Sequence, residues 1–95
     1  MILRPEGVQA ISGSATINTG VGKVVVGVGS LIASLTITFP SSPADRDNLL
    51  MFFNGGATLL TLTGNILGSL PISAATGAVM CYEYEAATNK WYRLY

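Results

Sequence analysis

Histidine is missing from this chain of 95 residues, and cysteine occurs once. Without histidine there is no Ser-His or Cys-His nucleophile pair, and the commonest metal ligand is absent too. One cysteine, Cys81, permits no intramolecular disulfide, and the usual zinc sites need more than one ligand of this kind. It lies in the apolar run Val79-Met80-Cys81-Tyr82 with no basic neighbour in sequence, which reads as a buried, inert thiol. No phosphate-cradling Gly-x-x-x-x-Gly-Lys-Ser/Thr segment occurs. Gly20-Val21-Gly22 and Gly27-Val28-Gly29 begin like a dinucleotide motif but lack its third glycine. No catalytic, cofactor-binding or metal-binding residue is assigned, and no cofactor is expected.

Charge is scarce as well. Charged residues make up 11% of the chain, against about 25% in an ordinary soluble domain. The intervals Val24–Ala44 and Asn48–Tyr82 contain none. Five acids balance five bases, so no clustered positive face exists to condense on a phosphate backbone or an anionic membrane. Neither nucleic acid nor a membrane is an expected partner. No continuous apolar run approaches the roughly 18 residues of a spanning helix, and Met1–Gly7 lacks the charged-then-apolar order of a signal peptide. The protein is therefore expected to be made and assembled in a cytoplasm.

A chain this short forms one domain with a modest core. Apolar residues are nonetheless 49% of it, too many for a disordered segment. Few charges and many apolar groups on so small a globule leave uncharged patches of the kind that mark protein–protein contact. Self-association is the expectation that follows.

The punctuation is that of short strands between turns. Val8–Ile11, Ala15–Ile17 and Lys23–Val28 read as strands, separated by Ser12-Gly13-Ser14 and Gly20–Gly22. Leu31–Phe39 alternates most clearly, with Leu35, Ile37 and Phe39 on one face and Ser34, Thr36 and Thr38 on the other. Pro40–Asp45 is a stiff loop. Asn48–Phe53 is apolar on both faces, so both are expected to be covered. Asn54-Gly55 signals a two-residue hairpin turn leading into Ala57–Thr63. After the turn Gly64-Asn65 come short apolar pieces at Ile66-Leu67 and Leu70–Ile72, then the loop Ser73–Gly77. Gly77–Glu85 alternates again, Ala86–Lys90 turns, and Trp91–Tyr95 closes the chain. Turns every eight to twelve residues predict an all-β fold: a small antiparallel β-sandwich or barrel, jelly-roll-like. Residues 1–30 read as an N-terminal arm with the first strands, and 31–95 as the sandwich core of a single domain.

Two carboxylate pairs and a group of rings are the remaining candidates for chemistry. Asp45 and Asp47 straddle Arg46, too few oxygens for calcium, and read as carboxylates that cap a turn. Glu83 and Glu85 project from one side of a strand about 6–7 Å apart, a spacing near that of glycosidase carboxylates. A glycosidase needs them across a cleft, and a charged edge beside Lys90 or Arg93 fits better. Trp91 with Tyr82, Tyr84, Tyr92 and Tyr95 offers either a sugar-stacking platform, as in a carbohydrate-binding module, or core and interface aromatics.

From Leu35 to Asp45 the sequence Leu-Thr-Ile-Thr-Phe-Pro-Ser-Ser-Pro-Ala-Asp resembles the strand and Leu-Pro-x-x-Pro-x-Asp-Gly opening of bacteriophage fibre and capsid-surface modules. An apolar strand, a glycine-bearing turn and a Thr-rich strand ending in Gly64-Asn65 follow, as in those modules. The closing tyrosine strand Gly77–Tyr84 and the run Asn89-Lys90-Trp91-Tyr92-Arg93-Leu94 match as well. The resemblance spans about two-thirds of the chain and leaves out residues 1–30. It departs at Arg46-Asp47, where Gly-Asp or Gly-Gln is usual, so that turn is expected to differ. It implies a homotrimer on the outer surface of a virion, partnered by the major capsid protein or other virion subunits. The function implied is capsid decoration (cement) or head fibre, with a tail-fibre or receptor-binding module as the alternative. Leu3, Leu35, Ile37, Phe39, Leu60, Leu62, Trp91 and Tyr95 are the residues expected at subunit or capsid contacts, with the charge-poor strands Leu31–Phe39 and Ala57–Thr63 supplying most of them.

Overall fold

The computed structural model of the chain describes residues 5–27 and 29–95, and no helix occurs among them. Eight strands form: β1 (Gly7–Ile11), β2 (Ala15–Thr16), β3 (Val21–Val26), β4 (Ile32–Thr38), β5 (Asn48–Phe53), β6 (Ala57–Thr63), β7 (Val79–Glu85) and β8 (Lys90–Arg93). They fall within a residue or two of the segments marked by alternation and turns. The pieces around Ile66-Leu67 and Leu70–Ile72 form no strand; Ile66 makes one isolated bridge to Trp91.

The strands form two sheets, β1-β3-β5-β7-β8 and β2-β4-β6, so that up to β7 odd and even strands alternate between them. The pairs β1–β3, β3–β5, β2–β4 and β4–β6 are all parallel. The chain therefore winds through three coils, each contributing a strand to the first sheet and then one to the second. Only β5–β7 and β7–β8 are antiparallel, so the last two strands fold back as a hairpin against the third coil. The β-rich architecture agrees with the sequence, but the antiparallel sandwich does not.

Asn54-Gly55 is where the expectation fails. The segment does not reverse the chain into a neighbouring strand; it turns a corner that carries β5 of one sheet into β6 of the other. The Gly55 N–H donates to the Val26 carbonyl of the coil below at 2.9 Å, just as the Gly27 N–H donates to the Ile11 carbonyl at 2.7 Å. Corner thus stacks on corner. Gly27 takes a φ of 75°, and a Cβ on Gly55 would collide with the backbone carbonyl of Ser30. These glycines serve close stacking of coils rather than a hairpin turn.

A second irregularity lies at the first coil. The register steps from Gly7↔Val21 to Val8↔Lys23, leaving Gly22 as a bulged extra residue in β3. The Pro5 carbonyl sits where a Gly22 side chain would be. Strands β1, β2 and β3 are thus built into the two sheets, continuous with the coils that follow.

The core fills the space between the sheets. Val24, Val26, Leu49, Met51, Phe53 and Tyr82 point inward from the first sheet, and Ile17, Leu35, Ile37, Leu60 and Leu62 from the second side. Parallel register stacks like on like: Leu35 lies beside Leu60, Ile37 beside Leu62, and Val26 beside Phe53. Each such side chain contributes about 1.5–3 kcal/mol when fully withdrawn from water. Phe39 closes one end, packed edge-on against Tyr82 and Trp91 with ring centroids 5.2 and 5.3 Å away. In the first coil Gln9 occupies an inward position, and its amide bridges the two layers. Its Nε2 donates to the Thr16 carbonyl at 3.2 Å, and its Oε1 accepts from the Asn18 N–H at 2.9 Å.

Candidate functional site

Because Val24, Met51 and Met80 point inward, their strand neighbours must point outward. The outer face of the first sheet therefore carries Ala10, Val25, Phe52 and Val79 in one register row, and Val8, Lys23, Leu50 and Cys81 in the next. Val8 and Val79 are 63% and 44% exposed, while Val25, Leu50 and Phe52 are half-buried by their neighbours. These rows make an apolar surface four strands wide, covered by the chain end at Cys81 and partly exposed elsewhere. Parallel strands normally have both faces covered.

Further along the strands the same face turns polar. Asn48, Glu83 and Tyr92 make the next row, and Glu85 faces Lys90 beyond it. Here Glu83, Glu85 and Tyr92 join Asp45, Arg46 and Leu94 around an open groove of about 500 Å³. The Pro40–Asp47 loop is pinned beside it. The Ala44 N–H donates to Asp47 Oδ2 and the Ala86 N–H to Asp45 Oδ1, both at 2.9 Å, so each aspartate caps backbone as expected. The Arg46 N–H donates to the Tyr84 carbonyl and the Tyr84 N–H to the Asp47 carbonyl, each at 2.8 Å. Arg46 and Asp47 together oppose Tyr84, which forms a bulge, and Arg46 sits at φ 67°. Arg46 is thus a non-glycine residue held in the left-handed region, and its side chain lines the groove.

Glu83 and Glu85 stand side by side on one face of β7, and Glu85 Oε1 accepts from the Tyr92 hydroxyl at 3.1 Å. Among the described residues no three His, Cys, Asp or Glu side chains are grouped to hold a metal ion.

Cys81 also belongs to the outer row, yet it is fully buried. The chain end covers it through a bulge: the Leu94 and Tyr95 N–H groups both donate to the Cys81 carbonyl, and the Cys81 N–H donates to the Tyr95 carbonyl at 2.9 Å. Burial pushes the Cys81 thiol above its ordinary value, with Glu83 adding to the effect and the Tyr95 hydroxyl opposing it. Tyr82 is raised by burial as well, and its hydroxyl is enclosed without a hydrogen-bond partner.

Most residues expected at subunit contacts are spoken for inside the chain. Leu35, Ile37, Phe39, Leu60, Leu62 and Trp91 all lie in the core, none more than 3% exposed. They cannot reach a second molecule without unfolding the first. Tyr95 is 53% exposed, and Leu3 lies outside the described residues. The reason is the alternation itself: it identified the apolar side of β4 and β6, and that side faces the other sheet. The outward residues of those strands are Ser34, Thr36, Thr38, Leu59, Thr61 and Thr63. The sugar platform is dismantled the same way, since Trp91, Tyr82 and Tyr84 are buried and only Tyr92 and Tyr95 reach the surface. The sequence marks both faces of Asn48–Phe53 for covering, yet none of the expected contact residues lies on the outer face of β3 and β5. Val24-Val25-Val26 and Leu49–Phe53 signal it, being apolar at consecutive positions.

No protein-family model matches the sequence, and no curated protein matches it. Among solved structures, one described as "Structure of a chaperone-substrate complex" superposes on 87% of this chain with a TM-score of 0.59 and 21% identity. The matched region is 14% of that chain, and the likeness is one of fold: this protein shares a small β architecture with part of a much larger polypeptide.

Proposed function

We propose that this chain is a self-associating structural module of a bacteriophage virion surface, a capsid decoration (cement) or head-fibre protein that acts by binding alone. The observation that carries the binding role is the apolar outer face of β1, β3, β5 and β7. Adjoining rows of partly exposed aliphatic and aromatic side chains are the kind of surface that marks protein–protein contact. The virion setting rests on the sequence resemblance across the Pro40–Asp45 loop, the Thr-rich strand and the closing Trp strand. A homotrimer, as in the modules resembled, is the assembly state of this reading.

A second reading, a tail-fibre or receptor-binding module, draws on the groove. Its mixture of Asp45, Glu83, Glu85 and Arg46 beside Tyr92 offers acceptors, a donor and a ring to a polar ligand. Co-sedimentation separates the two. Purified protein is expected to pellet with expanded empty phage heads and to leave host cells untouched. Binding to cells with none to heads would favour the receptor reading, and binding to neither would overturn both.

A further inference from the structure

Where Phe39 closes one end of the core, a cleft of about 290 Å³ opens to solvent. Its floor is Phe39, Tyr84 and Trp91, all buried. Its rim is Ser41 from the Pro40–Asp47 loop, Asn65 from the turn after β6 and Asn89 from the turn before β8, all exposed. We propose that this cleft binds one ring of a neutral sugar, with the indole N–H of Trp91 donating to a sugar oxygen. Such a site stands whether or not the chain self-associates or belongs to a virion.

Trp91 is the residue that points to a ligand. It is 2% exposed, and its indole N–H has no hydrogen-bond partner among the described residues. Nor is that N–H sealed in the core, as the unpartnered Tyr82 hydroxyl is. It therefore lies on the small part of the ring that borders the cleft. Phe39 and Tyr84 hold the ring there, with centroids 5.3 and 5.4 Å away. A fixed donor thus faces the cleft, and the chain supplies no acceptor for it.

Charge and hydrogen bonding say what the acceptor belongs to. No charged side chain lines the cleft among the described residues, whereas the groove that shares Tyr84 with it carries Asp45, Arg46, Glu83 and Glu85. An ionic ligand would enter without a counter-charge. The Tyr84 hydroxyl donates to Asn89 Oδ1 at 2.5 Å, which engages the oxygen of that amide and leaves its Nδ2 to donate. Ser41 adds a hydroxyl and Asn65 a second amide. Uncharged donors and acceptors above an aromatic floor match a ring with hydroxyls on its edge and C–H groups on its faces. The volume is at the low end of the roughly 300–1,000 Å³ of small-molecule sites, which suits one ring. A peptide strand fits less well, because it docks through backbone hydrogen bonds and the backbone here is already paired. The Phe39 N–H donates to the Thr63 carbonyl, the Trp91 N–H to the Asn65 carbonyl and the Leu67 N–H to the Trp91 carbonyl. The sugar meets the edge of a buried indole, not the open ring face that the sequence suggested.

Trp91 is the single tryptophan, so its indole N–H gives one assignable peak in a proton–nitrogen correlation spectrum. The probes are glucose, galactose, mannose and N-acetylglucosamine, each titrated into the full chain. At least one is expected to move the indole peak saturably, with a dissociation constant on the order of 1 mM for a ligand of this size. Ser41→Ala and Asn65→Ala, both at exposed positions, should each weaken that binding about fivefold, and the same spectra report that they are folded. Glucuronate should leave the peak in place. An indole peak that none of the four sugars moves would overturn the site. So would a shift that both variants leave at full affinity, which would put the sugar elsewhere, or an equal response to glucuronate, which would remove the selection for a neutral ligand.

Discussion

The two outward faces of this molecule are built by the same winding and end in opposite chemistry. On the second sheet, β4 and β6 present Thr36 and Thr38 beside Thr61 and Thr63 in parallel register. The Thr63 hydroxyl donates to Thr38 Oγ1 at 2.9 Å, so the row satisfies part of its own hydrogen bonding and leaves the rest to water. On the first sheet the equivalent rungs present Val25 beside Phe52 and Lys23 beside Leu50. Backbone pairing, corner glycines and core are held in common. The outward residues differ: threonines dominate one face, with Leu59 exposed among them, and aliphatic and aromatic side chains dominate the other.

Neighbouring phenylalanines test the comparison most sharply. Phe53 faces the core and Phe52 faces out, on the same strand. Phe53→Ala is expected to lose about 3–5 kcal/mol of stability, and Phe52→Ala under about 1 kcal/mol in the dissociated chain. Urea unfolding followed by the fluorescence of Trp91, the single tryptophan, measures both. Equal losses would mean that the outer face is packed within one chain. The corners shared by both sheets come next: Gly55→Ala, driving a Cβ into the Ser30 carbonyl, should destabilise by about 2–3 kcal/mol. At the polar end of the first face, Arg46→Gly should stabilise by under about 1 kcal/mol, since glycine takes the left-handed conformation without strain. The smallest change belongs to the other face. Thr63→Val removes one hydroxyl pair and should lower stability by about 0.5 kcal/mol without altering the sedimentation mass. A shift in mass would show that the threonine face, too, is a contact.

Strand positions were legible in the sequence, and strand partners were not. Alternation has the same period in parallel and antiparallel sheets, so Leu35, Ile37 and Phe39 announce a buried side without saying which strand lies opposite. Asn54-Gly55 misled because its dipeptide suits a hairpin, while Gly56 beside it provides for a corner. Six of the eight expected contact residues lie in the core for a related reason. The strongest alternators were chosen, and a clean alternator has already spent its apolar side on its own core. The better guide was the strand with no clean alternation, Leu49–Phe53, whose apolar character on both sides called for two coverings. The Asp45–Asp47 caps were readable from residue type alone. The left-handed Arg46 was visible only as a departure at a position where the resembling modules carry glycine.

The hairpin has a consequence for how the chain reaches this shape. Glu85 pairs with Lys90 five residues on, whereas Leu35 must find Leu60 across 25 residues and Val24 must find Met51 across 27. Local closure takes on the order of microseconds, and distant parallel pairing is far slower. The segment that forms most readily is therefore made after the coils it closes. Until it arrives, the third coil offers a bare strand edge, and the stretch of synthesis from Phe53 to Lys90 is when this chain is most exposed to sticking to its neighbours.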